Sequence, residues 1–398
     1  MALSRKNAKM QRVALFCALL SLCGAALPTV ILDTDIGTDF DDAFALHYLL
    51  SVSKPGDPRK LLNLKLIQVS TFNTTKRAQI VAYILDSLNR FDVELAIGAY
   101  EGEQGYPEWP LAESYDLATF VQKGGKLSWG LARMAGVMAE GTPAAPVLVT
   151  EIAPASSLGG VLMAQPSLSA GVAVVAMSGS VRAGYGNSSR IAAEYNVRVN
   201  VTASQAMYAA AYAAPLVTAP LDTTVFDQFV GPTYAALLAA NASGSSPYAS
   251  SLLAHYEAWY ANGGKHYGAM LPFSPFAGPN QGTSTMCVLP PSPRLPPLPA
   301  PLLRPTPHPT PPHPTLHARR YDVQAAWTTP YYAASLAAPS FPWLRAESLR
   351  LVVNASGFTV VDTAGRPVTV QTLWEPEAHT RDVVANFGAE VIAAIIAA

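Results

Sequence analysis

Five aspartates lie within ten residues near the N-terminus: Asp33, Asp35, Asp39, Asp41 and Asp42. Carboxylates packed this closely repel one another and raise each other's pKa. A hard divalent cation removes that conflict, and calcium accepts an all-oxygen shell of this kind. Gly37 lets the chain turn tightly inside the cluster. Asp41 and Asp42 precede a run with helical character, where the N-terminal dipole favours negative charge.

Three other readings of the cluster compete with a cation site. A solvated acidic loop that merely caps a helix fits poorly, because the apolar run 29–32 delivers the aspartates from a buried strand. A haloacid-dehalogenase-type phosphatase loop needs Asp-x-Asp-Gly-Thr, and here Ile36 separates Asp35 from Gly37. An EF-hand loop needs glycine at its sixth position and glutamate at its twelfth. Counted from Asp33, those places hold Thr38 and Phe44.

Elements that would position the cluster can be read along the chain. Residues 29–32, 64–71, 93–96, 147–150 and 172–177 are short apolar runs typical of buried parallel strands. Helical patterns at 75–88, 127–140 and 203–213 fall between or after them. This alternation predicts an α/β fold with a largely parallel sheet. Ligands of such sheets bind beyond the carboxyl ends of the strands, which is where the aspartates sit. Nearer the C-terminus, 321–336 reads as a helix that Pro330 should break or kink. Residues 349–353, 358–361 and 368–371 alternate like antiparallel edge strands, and 381–397 closes as an amphipathic helix.

Composition narrows the classes of partner. The chain has 398 residues, half of them hydrophobic, enough for one large core or two modest ones. Its 26 basic and 27 acidic residues balance, and no basic face points to nucleic acid. No stretch beyond the N-terminus suggests stable membrane insertion. Residues 1–26 read as a signal peptide, with Arg5, Lys6, Lys9 and Arg12 ahead of a short apolar run and small residues after it. A secreted or secretory-pathway protein is therefore expected, leaving Cys287 as the one cysteine after processing and no internal disulfide. Sequons at Asn73, Asn187, Asn200, Asn241 and Asn354 fit a glycoprotein. Between 290 and 314, thirteen of twenty-five residues are proline, and His308 and His313 lie among them. That composition predicts a low-complexity insertion at 289–319 within a domain of residues 27–398.

The stretch from Leu32 through Asp42 to Leu46 resembles the signature of the inosine-uridine-preferring nucleoside hydrolase family, Asp-x-Asp-x-Gly-x-Asp-Asp followed by an apolar helix. Two extra residues precede the final pair, which is placed at Asp41-Asp42 because Ala43-Phe44-Ala45-Leu46 follows it. Further matches run in the same order down the chain. They are Val69 to Asn73, Leu148 to Leu158, Met177-Ser178-Gly179-Ser180 with Gly186-Asn187, Ala193-Glu194-Tyr195-Asn196, and Tyr321-Asp322. In the last of these the family carries His-Asp, and Tyr321 stands in the histidine's place.

The resemblance implies a Rossmann-like open, mostly parallel sheet with flanking helices, the nucleoside hydrolase fold, with small antiparallel strands at the C-terminus. It implies an N-ribosyl hydrolase that splits ribonucleosides into ribose and free base. Calcium would be held by Asp35, Asp42, a backbone carbonyl near Ile152 (Thr150 being the other choice) and Asp322. Asp35 would take the proton of the attacking water. Asp41, Asn73, Asn187, Glu194 and Asn196 would hold the sugar, Tyr321 would contact the leaving base, and Asp33 and Asp39 would support the site. The partner is a small nucleoside, and family members often assemble as homo-oligomers. The alternatives are a secreted non-catalytic calcium-binding glycoprotein of the same fold, and a hydrolase of another N-riboside.

Overall fold

The computed structural model describes residues 26–99, 101–103, 105–185, 188–224, 232–262, 321–336, 340–375 and 380–398. The proposed leader, the proline-rich segment, Cys287 and Asn187 lie outside the described residues.

The first half of the chain alternates strand and helix. β1 (Thr29–Thr34) leads to α1 (Phe40–Val52), β2 (Asn63–Val69) to α2 (Thr74–Ser87), and β3 (Glu94–Ile97) to β4 (Lys126–Trp129). Then come α3 (Ala132–Met138), β5 (Val147–Glu151), α4 (Ser156–Ala164) and β6 (Val172–Met177). Two short helices, α5 (Tyr195–Val199) and α6 (Val201–Ala209), precede β7 (Leu216–Ala219). After α7 (Pro247–Ala261) and α8 (Tyr321–Ala334), β8 (Leu344–Val353), β9 (Thr359–Val361) and β10 (Arg366–Trp374) lead into the closing α9 (Thr380–Ala397).

One ten-stranded sheet results, in the order β4-β3-β2-β1-β5-β6-β7-β10-β8-β9. β1 lies inside it, paired in parallel with β2 on one side and β5 on the other. The chain winds outward one way through β4, then returns to build the other half from β5. The carboxyl ends of β1, β2 and β5 therefore meet at the point where the winding reverses, the place where such sheets open a crevice. Helices cover both faces, so the strands are buried on both sides: Val30 and Leu32 join one core and Ile31 the other. The same alternation separates Ala173, Val175 and Met177 from Val172, Val174 and Ala176 on β6.

Three expectations need correction. The stretch 127–140 is not one helix: its first residues form β4 and only the later ones α3. Gly130 marks the break, with φ of 76°. Of the break or kink expected at Pro330, the break does not occur, and α8 runs on to Ala334. The C-terminal strands are not all edge strands either, since β10 pairs in parallel with β7 and antiparallel with β8, which extends the main sheet. Sequence patterning also passed over β7, a four-residue strand too short for a periodic signal.

α1 is buried along its whole length and packs against α7, α8 and α9. No described helix is long and apolar enough to cross a membrane.

Candidate metal and active site

β1 ends at Thr34, and the chain turns through Gly37 before entering α1 at Phe40. Gly37 has φ of 128°, and a Cβ there would stand 2.5 Å from the Trp109 ring, so no other residue fits this turn without displacement. Asp39 occupies the N-cap position but makes no side-chain cap bond; Asp41 and Asp42 fill the first turn. Far along the sequence, Asp322 occupies the first turn of α8, which packs on α1. Two helix N-termini thus deliver carboxylates to one place, each dipole favouring the negative charge it carries.

Asp41, Asp42 and Asp322 come together there. One carboxylate oxygen from each lies within 4.8 Å of the others, and all three residues are buried. Burial, then repulsion from Asp35 and Asp41, holds the Asp42 carboxyl well above its ordinary range. Asp322 is raised by burial first and then by Asp41, Asp42, Asp35 and Asp39. Thr34 Oγ donates to Asp42 Oδ1 at 2.5 Å and steadies that carboxylate. Three hard oxygen donors in mutual repulsion fit a divalent cation of the calcium or magnesium type.

Asp35 is adjacent but differently placed. Its carboxyl is raised by burial and lowered by the Arg77 guanidinium, whose Nη2 lies 3.8 Å from Asp35 Oδ2. Asp39 is raised by burial and by Asp41, Asp35 and Glu108, and its Oδ1 has no hydrogen-bond partner.

Asp33, still on β1, has its partners within the sheet and the helix behind it. It pairs in register with Glu151 across β1 and β5, and the two buried carboxyls interact, Asp33 raising Glu151. Ser70 Oγ also donates to Asp33, and Ser157 Oγ contacts Ser70. Burial raises Asp33 to about 7 and Glu151 well above the usual carboxylate range.

Of the remaining described candidates, Asn73 and Glu194 are helix caps, and several are already bonded. Asn73 caps α2: its Oδ1 accepts from Lys76 N at 3.0 Å and its Nδ2 donates to Glu103 at 2.8 Å. The residue is buried, so a glycan on that nitrogen has no room. Glu194 caps α5, receiving the Asn196 N–H at 2.8 Å on one oxygen and the Gly179 N–H at 3.0 Å on the other. Burial raises its carboxyl to about 7 against the pull of those amides. Asn196 Nδ2 donates to the carbonyls of Ile152 at 3.3 Å and Met177 at 3.1 Å. The Ile152 carbonyl therefore lies at the crevice, tied to Asn196. Tyr321 opens α8 beside Asp322.

Sequence reasoning missed Arg77, Glu151, Glu108 and His255. Glu151 stands at the end of a β-branched run, an acid directly on a buried strand, which is a usable signal. Arg77 falls on the apolar face of α2 with Ala78 and Val81, again visible in the pattern. The fully buried His255 Nε2 lies 2.9 Å from Glu108 Oε1, joining α7 to the segment beside Gly37. Nothing local in the sequence links those two.

The model of the family described as inosine-uridine preferring nucleoside hydrolase matches residues 30–277. The chain belongs to this family. Its fold is that of a nucleoside hydrolase. A solved inosine-uridine preferring nucleoside hydrolase from Bacillus anthracis superposes with a TM-score of 0.51 at 14% identity, covering 92% of this chain and 100% of that one. The type III effector protein XopQ, complexed with adenosine diphosphate ribose, gives 0.53 at 15% identity, with coverage of 96% and 99%. The effector protein XOO4466 gives 0.55 at 16%, with coverage of 97% and 98%. No curated protein matches.

Proposed function

We propose that this nucleoside hydrolase family member is an exported, calcium-dependent enzyme that hydrolyses the N-glycosidic bond of ribonucleosides. One observation carries the reading: Asp41, Asp42 and Asp322, from two helix N-termini, converge within 4.8 Å at the sheet's crevice. Asp42, Asp322, Asp35 and the Ile152 carbonyl are the oxygens we assign to the ion; Asp41 is the group we assign to the sugar hydroxyls. A divalent ion held there would supply Lewis acidity, lowering the pKa of a water molecule at the site.

The chain's own groups do the rest. The water oxygen bonds to the anomeric carbon, and its proton passes to Asp35. The C–N bond breaks with its electron pair leaving on the base, which takes a proton from solvent after it departs, while Asp35 returns its proton to solvent. Positive charge develops on the sugar, and the buried carboxylates around it stabilise that charge without reorganising. Asn196 and Glu194 support the sugar pocket through the strand ends they tie together. Tyr321 holds the place that supplies a proton donor to the base, and a phenol of pKa about 10 is a weak acid at neutral pH. Base preference therefore follows how readily a base departs unprotonated.

The test uses the purified protein with inosine, uridine, adenosine and xanthosine, with and without chelator, and measures free ribose. Ribose release that chelator abolishes is expected. Calcium-dependent thermal stabilisation with no turnover would instead favour the non-catalytic reading, and turnover that survives exhaustive chelation would sink the calcium mechanism.

A further inference from the structure

Arg77 is the unexplained charge of the site. Its side chain is 0% exposed, in a region otherwise crowded with carboxylates. Its first donor, Nε–H, gives a hydrogen bond to the Thr71 carbonyl at 2.9 Å. Nη1 donates to the Ile36 carbonyl at 2.7 Å. Nη2 has no hydrogen-bond partner and stands 3.8 Å from Asp35 Oδ2. The guanidinium is walled by aromatic rings, with the Tyr106 centroid at 5.2 Å and the Trp109 centroid at 5.8 Å.

These contacts join the two loops that build the crevice. Ile36 belongs to the turn between β1 and α1, next to Asp35 itself. Thr71 belongs to the turn between β2 and α2, where Thr71 and Phe72 hold φ of 64° and 49°. Two successive left-handed residues without glycine are costly and persist only where neighbours hold them. Arg77 is such a neighbour, and its planar fork can reach both carbonyls and still face the carboxylate.

We propose that Arg77 is a positioning residue for Asp35. The guanidinium holds one oxygen of Asp35 apart from the Asp41, Asp42 and Asp322 group, so that this carboxylate is kept for the water proton. The inference rests on the hydrolase reading and assigns a residue that reading does not use. Two of its nitrogens hold loop carbonyls, and the third stands 3.8 Å from Asp35 with no carbonyl to receive it.

The experiment compares wild type, Arg77→Gln, Arg77→Lys, Asp35→Asn and the double variant Asp35→Asn/Arg77→Gln. Steady-state kinetics on the best nucleoside and calcium titration by calorimetry are the readouts. Arg77→Gln should lower kcat about 100-fold with KM within about threefold, as expected for a misplaced reacting group. Arg77→Lys should lower it nearly as far, because one ammonium cannot span three partners. In the Asp35→Asn background the same Arg77→Gln change should cost less than about threefold, since coupled residues are not additive. Calcium affinity of Arg77→Gln should fall by less than about tenfold, below the loss of a hydrogen-bonded outer partner, because Arg77 stands beside one of the four oxygens assigned to the ion and donates a hydrogen bond to none of them.

Additive losses in the double variant would overturn the inference. So would an Arg77→Gln enzyme that keeps its kcat, or one whose calcium affinity falls tenfold or more. If Arg77→Gln does not fold, Arg77→Lys carries the same comparisons. Wild type without turnover on any nucleoside would overturn the hydrolase reading and this assignment together; turnover in wild type with an indifferent Arg77 would overturn this assignment alone.

Discussion

Asp33 and Glu151 face one another across β1 and β5, while Asp41, Asp42 and Asp322 gather just beyond the end of β1. Both groups are buried, and burial pushes Asp33, Glu151, Asp42 and Asp322 above the ordinary carboxylate range. They differ in what surrounds them. The pair has each other and the Ser70 hydroxyl, so one proton held between the two carboxyls would remove their repulsion. The trio has Thr34 and two further acids nearby, Asp35 and Asp39, and repulsion among carboxylates is a leading cause of its shifts after burial. Proximity of acids does not by itself make a cation site. The trio qualifies because its oxygens converge from two helix ends while their charges repel, a conflict that a bound cation removes.

The largest effect should separate the two groups outright. Asp322→Asn is expected to weaken calcium binding by at least about 100-fold, since loss of even an outer partner of a metal ligand costs 10–100-fold. Ribose release should fall with it. Asp33→Asn should change calcium affinity by less than about threefold, because its partners are Ser70 and Glu151 and it is not among the clustered carboxylates. Calorimetric titration of both variants checks this. Equal losses in the two would erase the distinction between pair and trio.

The next effect is on stability against pH. The unfolded chain releases the Asp33 proton near 3.8, whereas the folded chain keeps it to about 7. Between those values the folded state binds more protons, so stability falls as pH rises through that window. Groups depressed by ion pairs, such as Glu347 at about 2 and Asp57, act in the opposite sense but lose their contribution at lower pH, outside it. Melting in chelator from pH 5 to pH 8 should therefore show a falling Tm. Calcium should raise Tm more at pH 8 than at pH 5, because protons on Asp42 and Asp322 compete with it. A Tm that climbs from pH 5 to pH 8 in chelator would contradict the raised carboxyls.

The difference between the groups also shows what the sequence could carry. The five aspartates from Asp33 to Asp42 are local, and their order alone points to the end of β1. Asp322 entered through resemblance, because chain distance hides the packing of α8 on α1. Within the cluster, spacing could not separate Asp33, which pairs with Glu151 and Ser70, from Asp35, only two residues on. The facing acid, Glu151, requires the β1–β5 register, and a strand's pairing partner is not a local property. Asn73 and Glu194 entered through resemblance, and that both are caps already bonded was not legible, since capping depends on backbone angles. The strands of the core were clear because both faces are apolar. β4 was masked because a short exposed strand followed by Gly130 reads as the start of the helix after it.

A smaller effect tests the shared proton directly. Glu151→Gln replaces an acid with an amide that can donate to Asp33 permanently. Asp33 then has no need of a neighbour's proton and should ionise at lower pH. In chelator at pH 8 the variant should be as stable as wild type or more so, by about 1 kcal/mol, the net worth of a hydrogen bond. At pH 5 it should gain nothing, and the dependence of Tm on pH should flatten. An unchanged slope would mean that Asp33 and Glu151 do not titrate together.

The smallest expected change is the sharpest probe of the pair. Ser70 Oγ donates to Asp33 and lowers its pKa, against the larger effect of burial. Ser70→Ala removes that donor and leaves the Glu151 contact and the amide of Leu158 in place. The loss should be about 1 kcal/mol, typical of one buried hydrogen bond. Its sign against pH is specific: a donor to a carboxylate favours the charged form, so the cost should be greatest above pH 7 and fade toward pH 5, where Asp33 is protonated. Calcium affinity should not move, because Ser70 is bonded to the pair and not to the trio. A cost independent of pH would reduce Ser70 to packing, and a fall in calcium affinity would show that the two buried groups are one.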